Sequence, residues 1–295
     1  MKLTSPDVSS CEAEPIHRPG SIQPHGTLLV LAGPALRMTQ VATSCATLLG
    51  IAPADLLDRD LAAVFGPELA EAVQTALGHY RERPARLAPF AWRSPASGTT
   101  FSGYVHQTDD GLTVLELEPA DPADQDIAGF LAEALAGFDA IRAQSELRAK
   151  AQTATALFRG LTGYDRVMIY QFSPDWHGEV IAESRRADLT PYLGLHYPAS
   201  DIPAQARRLY LINRAPIIVD VNYQPAQLLP ELNPVTGRAL DLSRSLLRSV
   251  APVHREYLRN MGVQATLAAS LIRDGQLWGL LACHHQQPRT ASRAM

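Results

Sequence analysis

The residues of this sequence that could do chemistry are a few thiols, some histidines, and an aspartate set between prolines. The thiols are Cys11, Cys45 and Cys283. An odd, sparse and irregularly spaced set builds neither a disulfide framework nor a zinc knuckle, so at least one thiol is free. A free thiol titrates near ~8.5 and becomes a nucleophile only with help from its surroundings. Cys45 and Cys283 stand in apolar helix or strand contexts, where packing is the expected role. Asp201 lies between Pro198 and Pro203, in a short rigid turn, and reads on its own as a helix N-cap. His254 follows Pro252 on a helix face, where an imidazole is either a core residue or a group that exchanges protons near neutral pH. A hydrolase built from Cys11, His254 and Asp201 has no nucleophile-elbow or metal-ligand spacing behind it.

The elements that must position these groups read as two successive α+β units. Residues 1–26 are irregular and hold four prolines, at 6, 15, 19 and 24. The apolar run 27–31 reads as a buried strand before a Gly33-Pro34 turn. Helical stretches near 44–49 and 67–79 follow, then strands at 91–93 and 101–106. Residues 112–118 alternate, which implies a strand with one face buried and one solvated. A first domain is therefore expected at 27–119 and a linker and helix at 120–142. A second domain is expected at 143–295.

In that second domain the good helix formers of 127–160 imply two helices, the second closing near Gly160 or Gly163. Strands are expected at 166–172 and 178–183, across a turn at Pro174-Asp175. A helix with proline at its start covers 203–211. Residues 214–240 read as a long surface loop with four prolines. A helix at 249–260 and a strand pair at 265–272 and 276–284 complete the chain.

Of the 295 residues, 46% are hydrophobic and 19% charged, and the net charge is -4. These values suit a soluble globular protein of about two domains and favour neither a nucleic-acid nor a membrane surface. No apolar run reaches the ~18 residues that span a bilayer, and the N-terminus lacks an apolar signal core. The cytoplasm is the expected compartment.

Several separate motifs, in order, resemble the chromophore-binding region of bacterial phytochromes. They are the thiol segment 11–17, the segments 21–26, 164–170, 178–183 and 196–207, and then 247–254, 257–263 and 277–285. The likeness runs from about Cys11 to His285. It implies a PAS domain followed by a GAF domain, each an antiparallel sheet flanked by helices. It also implies an N-terminal segment pinned in a GAF loop by Ile22, as a figure-of-eight knot. The implied function is red/far-red light sensing, with biliverdin, a linear tetrapyrrole, held through a thioether between Cys11 and its A-ring substituent. Signalling would follow Z/E isomerisation of the D ring.

The resemblance further implies a role for each site residue. The Asp201 backbone carbonyl faces the pyrrole nitrogens beside Ile202 and Pro203. His254 sits near the pyrrole water and the ring-C propionate, and His284 near the D-ring carbonyl. Tyr170, Tyr197 and Tyr257, with Met168, Val253 and Met261, line the pocket. Arg248 and Tyr210 meet the ring-B propionate, where a buried carboxylate needs a fork of donors. Thr266 meets the ring-C propionate. Neighbouring His285 should point outward. The sequence departs from the family pattern at two places. Pro216 stands where a second arginine is usual, with Arg214 two residues earlier, and Ala268 stands where a second serine is usual.

The family's long C-terminal helix, its PHY domain and an output kinase are not in this sequence, so a sensory module without catalysis of its own is expected. A bilin is the expected ligand, homodimerisation a possible state, and the downstream partner unidentified. The competing reading is a pigment-free GAF or PAS module that binds another ligand or a protein.

Overall fold

The computed structural model describes residues 15–84, 88–120 and 127–290. In chain order the first strands are β1 (Ser21–Ile22), β2 (Thr27–Ala32) and β3 (Arg37–Ala42). Helices α1 (Cys45–Leu48), α2 (Pro53–Leu56), α3 (Leu61–Phe65) and α4 (Pro67–Glu82) come next. Strands β4 (Phe90–Arg93), β5 (Thr100–Gln107) and β6 (Thr113–Pro119) close the first half. The second half opens with α5 (Ile127–Arg142), α6 (Leu147–Thr162), β7 (Arg166–Phe172), β8 (Gly178–Arg185) and β9 (His196–Tyr197). Then come α7 (Ala204–Ile212), β10 (Ile217–Ile218), β11 (Ala226–Leu229), α8 (Pro252–Asn260), β12 (Ala265–Arg273) and β13 (Gln276–His285).

The chain folds as two compact units that do not follow the order of the sequence. One starts at His17, holds β1 to β6, and takes in Tyr223–Ala251 from the second half. The other continues to Asn222 and resumes at Pro252.

The first unit is an antiparallel sheet in the order β1-β11-β3-β2-β6-β5-β4. Strand β2 is buried on both faces. Leu29 and Leu31 pack under the helices with Leu56, Leu61, Leu69 and Val73. Leu28 and Val30 pack the other way, against Leu240, Leu242 and Leu247. That second layer corrects two expectations. Strand β6 is buried along both faces as far as Glu118, not solvated on one. Residues 214–240 are no surface loop, since Ile217, Ile218, Val221, Tyr223, Ala226, Leu228, Asn233 and Leu240 are all buried. Periodicity within 112–118 cannot reveal a cover supplied by residues more than a hundred positions away.

Residues 21–22 also leave the irregular class, because the same loop holds them on both sides. Strand β1 pairs with β11 through Ser21↔Gln227 and Ile22↔Ala226. On its other flank, Gln23 N–H donates to Leu247 O at 2.7 Å and Ser249 N–H to Ser21 O at 3.2 Å. Leu242 N–H donates to His17 O at 2.8 Å. Ile22 is fully buried between them.

The second unit is an antiparallel sheet in the order β10-β12-β13-β7-β8-β9. Alternation sorts its side chains onto two faces. Val167, Leu281 and Cys283 face one way and pack with Tyr164, Ala265 and Phe158. Ile169 and Ile181 pack with Ala151 and Ala154 of α6 on the same side. Helix α6 ends where Gly163 turns left-handed at φ +63, as the sequence suggested. Arg289 caps it, its Nε and Nη2 donating to Thr162 O at 3.1 and 2.8 Å. The face turned away from α6 carries the candidate site.

Candidate functional site

Strand alternation places Met168, Tyr170 and Phe172 of β7 on that face, with Leu280, Ala282 and His284 of β13. Thr266 of β12 pairs with His284, and Met168 pairs with Ala282. Tyr197 and Ile202 pack onto the cluster formed by Met168, Tyr170, Phe172, Val180 and Leu280, and Tyr210 joins them from α7. The rings of Tyr170 and Tyr197 lie 6.0 Å apart, and those of Tyr170 and Phe172 5.2 Å apart, edge to face. Helix α8 brings His254 and Tyr257, whose rings stack nearly parallel at 6.2 Å.

Asp201 is the polar centre of this group. Tyr257 Oη donates to its Oδ2 at 3.3 Å. It closes a 3₁₀ turn, Ala199–Asp201, whose backbone is tied down by Arg207. Arg207 Nη1 donates to Ile202 O at 2.6 Å and to Ala199 O at 3.3 Å, while its guanidinium lies over Trp176. The N-cap reading of Asp201 is corrected: α7 is capped by Pro203, with no side-chain capping bond. Proline two residues on displaces the helix start beyond the aspartate's reach.

Burial dominates the electrostatics. It pushes the Tyr170 hydroxyl up to about 12, with Asp201 adding to the shift. Burial, and then the Asp201 charge, raise Tyr257, and burial likewise raises Tyr197 and Asp201. His284 is driven down to about 3, first by burial and then by the positive charges of Arg166 and His254. Its Nδ1 is buried and has no hydrogen-bond partner among the described residues. The imidazole is therefore neutral at physiological pH.

A depressed histidine binds fewer protons in the folded than in the unfolded state, so its contribution is intact above about pH 6.5 and is lost as pH falls toward 3. Urea titrations between pH 7 and 4 should show stability falling across this window, with a shallower fall in His284→Gln. An identical slope in both proteins would remove His284 from the account.

The remaining site residues divide between the units. Val253 is exposed on α8, and Met261 and Thr266 are half-buried. Arg248 and Ile22 belong to the first unit, where their backbones form an isolated bridge. Cys11 lies outside the described residues. Pro216 and Arg214 accept backbone bonds from β12, to Pro216 O from Ala268 N–H and to Arg214 O from Ser270 N–H. A proline that only accepts suits this edge position. His285 is corrected. It turns to the opposite face from His284, but its Nδ1 meets Asp165 Oδ2 at 2.9 Å rather than solvent. Cys45 and Cys283 are buried, as their contexts implied. Burial pushes the Cys45 thiol up to about 11 and raises Cys283 as well, so neither is a poised nucleophile.

Sequence reasoning passed over Arg166 and Glu183. Arg166 Nε lies 3.1 Å from Glu183 Oε1, and both side chains are almost fully buried. Glu183 also accepts from Tyr192 N–H at 3.0 Å and Leu193 N–H at 3.3 Å. The Arg166 guanidinium lies flat over the Tyr192 ring at 3.5 Å. One signal was present: opposite charges on adjacent strands, with Tyr164 and Met168 two residues either side of Arg166 and Ile181 two residues before Glu183.

The two α+β units, in this order, have the architecture of a PAS domain followed by a GAF domain. The PAS fold family matches residues 11–120 and the GAF domain family residues 146–294. Phytochrome-like protein Cph1 of Synechocystis sp. is 43% identical over 98% of this chain and 39% of its own length. A bacteriophytochrome of Xanthomonas campestris pv. campestris is 42% identical over 98% of this chain and 45% of its own. Among solved structures, the chromophore-binding domain of wild-type Stigmatella aurantiaca phytochrome P1 superposes with a TM-score of 0.88 at 41% identity. That match covers 96% of this chain and 93% of that one. This chain belongs to the phytochrome family and corresponds to its PAS–GAF region. It spans roughly two fifths of the length of the curated relatives it matches. Among the described residues, no helix is long and apolar enough to cross a membrane.

Proposed function

We propose that this chain is a red/far-red light-sensing module that holds biliverdin covalently through Cys11. The observation that carries the reading is His284. A neutral imidazole with a buried, unpartnered Nδ1, on a face walled by Tyr170 and Tyr197, can meet a polar atom at the edge of a conjugated, largely apolar ligand. The other residues suit the same ligand. Buried pyrrole N–H groups need acceptors, and the 199–202 turn offers backbone carbonyls held by Arg207. Exposed Val253 and Tyr257 offer apolar surface for a planar ligand to cover. Thr266, paired with His284, supplies a hydroxyl for the ring-C propionate. Bound biliverdin supplies a conjugated system that absorbs red light and can isomerise at its D ring. Around it, His284, Asp201 and His254 hold and orient polar atoms, while Met168, Ile202, Pro203, Tyr210 and Met261 exclude water.

Residues 1–26 are proposed as the attachment segment, 27–119 as the PAS domain, 120–142 as the connection and 143–295 as the GAF domain. The proposed setting is cytoplasmic, with an output partner elsewhere. The test is to mix the purified protein with biliverdin, record absorption, and stain the denatured chain with zinc. A far-red band and a zinc-fluorescent chain are expected, and Cys11→Ser should lose the fluorescence completely. A spectrum that stays that of free biliverdin, in folded protein, would overturn the proposal in favour of a pigment-free module.

A further inference from the structure

Glu116 lies at the centre of β6 and is fully buried. A buried carboxylate needs partners. Its three hydrogen-bond donors come from one short stretch of the loop that grips residues 21–23. Ser245 Oγ donates to Glu116 Oε2 at 2.8 Å, Leu246 N–H to Oε1 at 3.1 Å, and Leu247 N–H to Oε2 at 2.8 Å. The next link runs outward. Leu247 O accepts from Gln23 N–H at 2.7 Å, Arg248 O accepts from Gln23 Nε2 at 3.4 Å, and Ser249 bonds Ser21 through both backbone and hydroxyl. A single carboxylate on the PAS sheet thus fixes three consecutive residues, and the last of them, Leu247, with Arg248 and Ser249 following it, holds residues 21–23.

The surroundings make this hold specific. His106 on β5 is also fully buried, with its Nδ1 3.5 Å from Glu116 Oε1. Gly26 leaves room for the Leu247 side chain, where an added Cβ would come within 2.7 Å of both Leu247 methyls. Burial drives His106 down to about 3 and Glu116 up to about 7, opposed in Glu116 by its three hydrogen bonds. An apolar residue at position 116 could fill the space but could not bind three donors in the strap.

We infer that Glu116 is a positioning residue for chromophore attachment, acting through residues 245–249 to fix residues 21–23, which follow Cys11 in the sequence. The inference rests on the bilin-binding reading.

Hydrogen exchange on the chain without ligand reads the hold directly. In Glu116→Ala, the amides of Leu246, Leu247 and Gln23 should exchange at least tenfold faster, while those at the centre of β2 keep their protection. Glu116→Gln keeps one acceptor oxygen and should give a smaller change. Addition of biliverdin then reads the consequence. Covalent attachment, followed by zinc staining over time, should slow about tenfold in Glu116→Ala and less in Glu116→Gln. Reversible binding in a Cys11→Ser, Arg248→Ala background, which removes the ligand contact expected from the 245–249 stretch itself, should stay within about twofold. A merely structural role would weaken reversible binding and attachment together, which overturns the inference, as does unchanged protection of Gln23. If Glu116→Ala does not fold, Ser245→Ala and Glu116→Gln carry the same comparison. If the unaltered chain takes up no biliverdin, the light-sensing reading falls, and the exchange data still decide whether Glu116 holds the segment.

Discussion

Arg166→Ala is expected to destabilise the GAF unit by about 3–5 kcal/mol, the cost of removing one partner from a buried ion pair. Arg166 and Glu183 are both nearly inaccessible, so the loss leaves Glu183 in a low-dielectric site. Its remaining donors are the Tyr192 and Leu193 amides, with Arg185 Nε at 3.7 Å. The damage should not stop at the pair. Arg166 also covers the Tyr192 ring and donates to Thr190 O. The 186–195 segment should therefore loosen, visible as faster exchange of the Leu193 amide. Arg166→Lys should recover little, because an ammonium cannot both stack flat on the ring and reach two acceptors. Arg166 further contributes to keeping His284 neutral, so the variant should also raise the pH at which His284 titrates. A urea-derived loss under 1 kcal/mol, with the 186–195 amides still protected, would show that solvent or Arg185 replaces Arg166.

How much of this was legible in the sequence depends on whether a residue's environment is local. The strands of the second unit were, because residues 166–172 and 276–284 carry their alternation within themselves. The turn at Asp274-Gly275 and the stop at Gly163 were too, since positive φ at each favours the residue types found there. The site face followed from alternation once the family motifs marked Tyr170 and His284. The covering of β6 was not legible. Glu116 and Glu118 look solvated in a strand read alone, but Ala226, Leu228, Leu240, Leu242 and Leu247 arrive from the other half to build a second core layer on that face. The same non-local packing turned residues 214–240 from an expected surface loop into two strands and a second core layer. The Asp201 cap failed for a stereochemical reason, because Pro203 took the cap position itself.

The glycines around Tyr170 show how the sequence reserves space for the pocket wall. A Cβ on Gly178 would fall 1.9 Å from Tyr170 Cζ and 2.2 Å from its Oη. Gly178 pairs with Phe172 on one side and Tyr197 on the other, so the ring of Tyr170 lies across the glycine rather than beside it. Gly178→Ala must therefore swing Tyr170 out of its contact with Tyr197. Overpacking of this kind costs about 1–3 kcal/mol. Gly279 is stricter. Its added Cβ would meet the Tyr170 carbonyl oxygen at 2.5 Å and Gln171 Cα at 3.4 Å. Backbone cannot rotate aside as a ring can, so Gly279→Ala should cost about 3 kcal/mol or more, at the upper end of that range. A double-mutant cycle separates the two mechanisms. Adding Tyr170→Ala should relieve Gly178→Ala, making the pair less destabilised than the sum of the singles. It should not relieve Gly279→Ala, whose clash is with main chain that every residue at position 170 retains. Urea midpoints of the unaltered protein, the three single variants and the two doubles give both couplings. Strict additivity for Gly178 and Tyr170 would mean that the ring has another place to go, and that the wall beside Tyr197 is soft rather than set by the glycine.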